Sequence, residues 1–207
     1  MKISPTLTEV KEIAKTGKYD ILPVSCEILS DFITPIEAMR ILQNVSTHCY
    51  LLESAQANEA WGRYTFLGYD PKLEINCIDG HMKLGKLSVE TENPSEYIRQ
   101  ILSEYKSPKF DYLPSFTGGL VGYFSYDYLG YKEKSIRGKA KDTEDFKDVD
   151  LMLFDKVIAF DNLCQKIILI ANMSLDAPET GYNKAIVELK QLRELLMHGE
   201  KKQNMGG

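Results

Sequence analysis

Four cysteines, Cys26, Cys49, Cys77 and Cys164, are scattered through 207 residues without a C-x-x-C pair. Neither a zinc-ligand spacing nor a disulfide framework is signalled, and the thiols are expected to be reduced and mostly buried. Long apolar runs are missing as well. The longest unbroken one is Ile167 to Ala171, against the roughly 20 residues that a membrane-spanning helix needs. The amino terminus, Met1-Lys2-Ile3-Ser4-Pro5, enters a polar helical pattern without the apolar stretch and cleavage site of a leader, so the expected compartment is the cytoplasm. Basic charge is in deficit, with 25 Lys and Arg against 30 Asp and Glu and a net charge of −5. That balance argues against a surface that tracks nucleic-acid phosphates.

Catalytic signatures are equally sparse. The three histidines, His48, His81 and His198, stand apart from one another and from carboxylate clusters at metal-ligand spacing, and no nucleophile elbow or catalytic Cys-His pattern occurs. Gly118-Gly119-Leu120-Val121-Gly122 lacks the terminal Lys-Ser/Thr of a phosphate-binding loop. Those glycines read as a close backbone approach at the start of a packed strand.

What is present is ordinary globular composition, 43% apolar and 27% charged, enough to build a substantial core. Thr6-Leu7-Thr8-Glu9 is a capping box. It opens a helix with Leu7, Val10, Ile13 and Ala14 as its apolar stripe, closed by Gly17. Thr34-Pro35-Ile36-Glu37 repeats the device with Pro at the first helical position, and Ile36, Met39 and Leu42 are its expected buried face. Asn93-Pro94-Ser95-Glu96 starts a third helix with Ile98, Ile101, Leu102 and Tyr105 inward, and a fourth spans about Tyr182 to Met197 with Ile186, Leu189, Leu192 and Leu196.

Seven strand-like runs lie between them, 48–53, 63–67, 73–78, 81–87, 120–126, 151–160 and 166–172. Asp79-Gly80 and the stretch Asp161 to Gln165 have hairpin character. Strands cluster instead of alternating with helices, so the expected class is α+β, with layered antiparallel sheets and helices packed outside. Residues 1–197 read as one amino-terminal domain. Within it Lys132 to Asp150, charged at 12 of 19 positions, is expected to be an exposed loop, and 198–207 a frayed tail or domain boundary.

The chemically richest stretch is Tyr50-Leu51-Leu52-Glu53-Ser54, followed by Trp61-Gly62-Arg63-Tyr64-Thr65-Phe66-Leu67-Gly68. Glu53 and Ser54 end one strand and Arg63 begins the next, so carboxylate, hydroxyl and guanidinium are expected to converge at one sheet end. Such a set suits an amino acid, the carboxylate for its ammonium and the hydroxyl and guanidinium for its carboxylate, with aromatics beside its side chain. The alternative is an edge-strand Glu53 paired with Arg63 at the surface.

Leu-Leu-Glu-Ser-Ala at 51–55, Gly-Arg-Tyr-Thr-Phe-Leu-Gly at 62–68, Gly-Gly-Leu-Val-Gly-Tyr-Phe-Ser-Tyr-Asp at 118–127 and Asp-Leu-Met-Leu-Phe-Asp-Lys-Val-Ile-Ala-Phe-Asp at 150–161 together resemble the amino-terminal domain of anthranilate synthase component I. The resemblance implies an enzyme that converts chorismate and glutamine or ammonia to anthranilate and pyruvate, with Mg²⁺, in tryptophan biosynthesis. It also implies a glutamine amidotransferase partner, and a feedback site for L-tryptophan in which Glu53, Ser54, Arg63 and Tyr64 take part. The family's carboxyl-terminal catalytic domain has no counterpart in these residues: its Gly-Thr-x-x-Gly segment, metal-binding glutamates and Asp-Leu-x-Arg-Asn-Asp block are missing. So is a Pro-x-Met segment that completes the tryptophan pocket. The chain is expected to carry half of the effector site and no catalytic or metal-binding residue, and to be inactive alone. Two other readings are the corresponding domain of aminodeoxychorismate synthase component I and a free-standing amino-acid-binding module.

Overall fold

The computed structural model describes residues 1–54, 62–126 and 146–202. They divide into two compact units, one of Met1–Asp70, Ser107–Gly118 and Asp155–Gly207, the other of Pro71–Lys106 and Gly119–Phe154. Each unit is an antiparallel sheet with helices, the α+β class expected from clustered strands.

The first unit holds helices α1 (Leu7–Lys15) and α2 (Pro35–Val45) and strands β1 (Ile21–Leu29), β2 (Cys49–Glu53) and β3 (Tyr64–Tyr69). The second holds β4 (Leu73–Ile78), β5 (His81–Leu84), β6 (Leu87–Glu90), α3 (Pro94–Ser103), β7 (Gly119–Tyr126) and β8 (Phe146–Phe154). The chain then returns to the first unit with β9 (Lys156–Asp161), β10 (Lys166–Ser174) and α4 (Pro178–His198). Sheet order is β1-β10-β9-β3-β2 in the first unit and β6-β5-β4-β8-β7 in the second.

Local chemistry sets the helix starts. Thr6 Oγ1 accepts from the Glu9 N–H at 3.3 Å while Glu9 Oε1 accepts from the Thr6 N–H at 3.2 Å, the reciprocal capping box. Thr34 caps α2 in the same way, accepting from the Glu37 N–H at 3.2 Å. Val10 of α1, Ala38, Ile41 and Leu42 of α2, and Tyr182, Ala185, Leu189, Leu192 and Leu196 of α4 pack on one sheet face. There register sets Leu22 opposite Met173, Val24 opposite Ala171 and Leu169 opposite Ile158. A fully buried Leu of this kind contributes about 1.5–3 kcal/mol.

In the second unit Ile98 of α3 is buried against Ile75, Cys77, Met82, Leu120 and Leu151. Glu74, Asn76 and Ile78 face outward from β4, so this strand has one wet face and one dry one.

Several expectations are revised. β1 carries Pro23, which hides a strand from pattern reading, yet β1 is an edge strand, where proline is tolerated. Its outer side is met by Ser4, whose N–H donates to the Ser25 carbonyl at 2.9 Å and whose carbonyl accepts from the Ser25 N–H at 2.8 Å. The run 81–87 is two strands hinged at Gly85, with φ +63°. The run 151–160 is also two strands, one in each sheet. Ile36 is 65% exposed and Leu102 40%; the buried stripes of α2 and α3 run through Ala38, Ile41 and Leu42 and through Ile98 instead. Cys26 and Cys77 are buried, whereas Cys49 is half-buried and Cys164 exposed.

Of the charged stretch expected as a loop, residues 132–145 lie outside the described residues, and 146–150 belong to β8. The first residues after α4 are docked: the Lys202 N–H donates to the Arg40 carbonyl at 3.0 Å and Lys201 Nζ bonds Glu37. No helix among the described residues is long and apolar enough to cross a membrane.

Gly122 sits opposite Leu151 in the β7–β8 pair. A Cβ there would lie 2.1 Å from the Asp150 carbonyl oxygen and 2.9 Å from the Leu151 Cα. Both obstacles are backbone and cannot rotate away. Gly122→Ala is therefore expected to destabilise the second unit by about 2 kcal/mol or more, read as a lowered denaturation midpoint; an unchanged midpoint would contradict the close strand approach.

Candidate functional site

Consecutive residues of a strand point to opposite sheet faces, and this separates the first two candidate residues. Glu53, the last residue of β2 and paired in register with Thr65, is exposed. Ser54 follows it and is only 1% exposed. The Ser54 hydroxyl accepts from the Tyr64 N–H at 3.0 Å, and the Ser54 N–H donates to the Tyr64 carbonyl at 2.9 Å. The β2–β3 pairing is thus extended one residue beyond the strand, with a side-chain oxygen standing in for a backbone carbonyl.

Tyr64 is buried and stacks on Phe66, ring centroids 5.7 Å apart at 26°. Phe116 meets Phe66 edge-on at 5.3 Å and Tyr50 at 6.1 Å. Tyr50 itself lies across Gly68, its partner in register, where a Cβ would come within 2.0 Å of the ring. An aromatic wall of Tyr50, Tyr64, Phe66 and Phe116 therefore covers the sheet beside Ser54. The Tyr50 hydroxyl is pushed well above the ordinary tyrosine range by burial.

Arg63 precedes β3 and pairs with Asp161, not with Glu53. Its Nε donates to Asp161 Oδ1 at 3.4 Å and its Nη2 to Oδ2 at 3.3 Å, while the guanidinium lies 4.9 Å from the Tyr64 ring centroid. The surface Glu53–Arg63 pair considered from sequence does not form. Asp161 ends β9 with a side chain 1% exposed, against 33% for Arg63. Its Oδ1 also accepts from the Leu163 and Cys164 N–H groups, each at 3.1 Å, closing the β9–β10 turn. Burial pushes the Asp161 carboxyl up, but the bonds from Arg63 and the Cys164 backbone outweigh it and hold the group below its ordinary value of 3.8.

Asn162 completes the clasp. Its N–H donates to the Arg63 carbonyl at 2.7 Å, and its Nδ2 donates to the Gly62 carbonyl at 2.9 Å and to Thr65 Oγ1 at 3.1 Å.

Ser54, Arg63 and Tyr64 are thus brought together, and Glu53 stands apart from them on the other face. Trp61 lies outside the described residues. Asp161, Asn162 and Phe116 escaped sequence reasoning. The Asp-Asn pair at a hairpin start is a turn signal, but nothing local announces a partner 98 positions away.

A separate open cleft of about 560 Å³ lies in the second unit, lined by Asp79, His81, Glu90, Glu92 and Pro94 among others. Its carboxylates disfavour a carboxylate-bearing ligand. Among the described residues no three His, Cys, Asp or Glu side chains gather as a metal ion would require.

The sequence is 34% identical over 198 residues to anthranilate synthase component 1 of Acetivibrio thermocellus, covering 93% of this chain and 39% of that protein. It is 36% identical over 196 residues to the Pseudomonas aeruginosa protein of the same name, covering 91% and 39%. The chain spans about two fifths of the length of these curated relatives. No family model matches it. Among solved structures, anthranilate synthase component I from Streptococcus pneumoniae TIGR4 aligns with 84% of this chain and 37% of its own, with a TM-score of 0.45 and 21% identity.

The Asp161 pair gives stability a defined pH dependence. A carboxyl whose pKa is lowered on folding stabilises the native state above its unfolded value, and that contribution is lost as pH falls through the folded one. Asp161→Asn keeps an oxygen for the turn N–H groups but removes the charge. It is expected to cost about 1–3 kcal/mol at pH 7, a gap constant down to about pH 5 and closing below about pH 4. Denaturation of both proteins across that range checks it; a gap that widens in acid would contradict the pairing.

Proposed function

The chain belongs to the anthranilate synthase component 1 family as its amino-terminal part, and on that premise we propose that it is the regulatory portion of an enzyme making anthranilate and pyruvate from chorismate and glutamine or ammonia. The observation that carries this reading is a third of residues identical over nine tenths of the chain to several proteins of that name. In the same reading the enzyme works in tryptophan biosynthesis in the cytoplasm, with a glutamine amidotransferase subunit as partner and a carboxyl-terminal catalytic domain beyond the region matched here. The described residues offer no donor set for Mg²⁺, so no step through a metal is assigned to this chain.

Its own part in the enzyme is to bind L-tryptophan as feedback effector at the end of β2. Ser54, Arg63 and Tyr64 supply hydroxyl, guanidinium and an aromatic wall to a zwitterion with an indole, and Glu53 stands at the rim. Each hydrogen bond to a charged group of the effector contributes about 1.5–3 kcal/mol. Without the family's Pro-x-Met wall, some 80–100 Å² of indole contact is lost, about 2–2.5 kcal/mol at roughly 25 cal/mol per Å². Affinity is accordingly about 30- to 70-fold below that of the complete enzyme at about 1.4 kcal/mol per decade.

Incubation of the chain with chorismate, Mg²⁺ and ammonium is expected to yield no anthranilate fluorescence above a protein-free control. Calorimetric titration is expected to detect L-tryptophan, weakly, and to lose it in Ser54→Ala. Anthranilate formation would overturn the assignment of the chemistry to another domain. Equal affinity in wild type and Ser54→Ala would remove Ser54 from the site.

A further inference from the structure

Arg63 could serve an anionic ligand only if its guanidinium were held with an edge turned outward. The geometry around it meets that condition. Nε and Nη2 are taken by the two oxygens of Asp161, and the Tyr64 ring backs one face of the plane at 4.9 Å. Among the described residues nothing bonds Nη1, and a third of the side chain stays in contact with solvent. Five donors in a fixed fork, two of them satisfied from within, leave the others aimed away from Asp161. The Asp161 carboxylate is in turn immobile, because its Oδ1 closes the β9–β10 turn through two backbone N–H groups.

We propose that Asp161 is a positioning residue for an amino-acid effector: by gripping the inner edge of Arg63 it fixes the outer edge as the receptor for the ligand's α-carboxylate. This rests on the effector site proposed above and names the group that organises it. Asp161 does not touch the ligand. It acts through the direction of Arg63 and by sparing the guanidinium the rotamer freedom it would otherwise lose on binding. The pair keeps a net positive edge toward the ligand because the carboxylate charge is shared with the backbone N–H groups of the turn as well as with Arg63.

The test compares L-tryptophan with L-tryptophanamide, which keeps the ammonium and indole but lacks the carboxylate. Both are titrated calorimetrically into the 207-residue chain, its Asp161→Asn variant and its Arg63→Lys variant, with thermal melts establishing that each is folded. The wild type is expected to prefer the acid over the amide by about 10-fold or more, and both variants to lose most of that preference while binding the amide as the wild type does. Arg63→Lys retains charge without the fork, so a loss there identifies orientation rather than charge as the requirement. A folded Asp161→Asn or Arg63→Lys protein that keeps the full preference overturns the positioning role. A wild type that binds acid and amide equally overturns it too, and leaves the effector reading standing. A wild type that binds neither overturns the effector reading itself.

Discussion

A carboxylate taken almost wholly out of water must have its charge answered on the spot, and at Asp161 the answer ties together parts of the chain about one hundred residues apart. Arg63 approaches from the start of β3, the Leu163 and Cys164 N–H groups from the turn that Asp161 itself begins. Because breaking one side of such an arrangement leaves a buried charge uncompensated, Arg63 and the β9–β10 hairpin are locked to one geometry. The placement of Tyr64, and through it of the Ser54 hydroxyl, follows from that lock.

Each sheet depends on a place where a side chain would not fit. At Gly68 the space is taken by the Tyr50 ring lying across the strand; at Gly122 it is taken by the backbone of β8. These vacancies do different work. The first lets an aromatic wall form on the face that carries Ser54, and the second lets two strands of the other unit approach closely. Steric exclusion thus shapes both sheets, while the buried charge is answered within the first.

Much of the fold was legible because its signals are local. Thr6 with Glu9 and Thr34 with Glu37 bond as their spacing implies, and Asp79-Gly80 takes positive φ at both positions, +49° and +79°, as the tightest hairpin turns require. What escaped depends on tertiary context. Pro23 disqualifies a central strand but not an edge one, and only the sheet order reveals that β1 is an edge. The strand-like run 151–160 is interrupted only by Asp155-Lys156, a polar pair that one continuous strand could also carry, so nothing local says that the chain changes sheet there. Ile36 and Leu102 match a helical period from sequence, yet which arc of a helix faces the core is decided by the neighbours it meets. At the candidate site the residue types point to the strand end, while the Arg63–Asp161 pair is invisible for the same reason: an ion pair across two hairpins has no sequence spacing.

The electrostatics of the whole molecule narrow where an acidic ligand can settle. With a net charge of −5, the chain repels anions on average, and the open cleft of the second unit concentrates that repulsion through Asp79, Glu90 and Glu92. A carboxylate-bearing small molecule therefore needs a place where positive charge is held rigidly and the local field is reversed. Exposed lysines on flexible stems provide charge without direction. Arg63, fixed by Asp161 on one edge and by Tyr64 on one face, provides both, beside the aromatic surface of Tyr64 and Phe66. The buried Asp161 carboxylate and the partly exposed Arg63 guanidinium meet where the end of β9 adjoins the start of β3, so one pair of hydrogen bonds joins a charge taken out of water to one that still faces it.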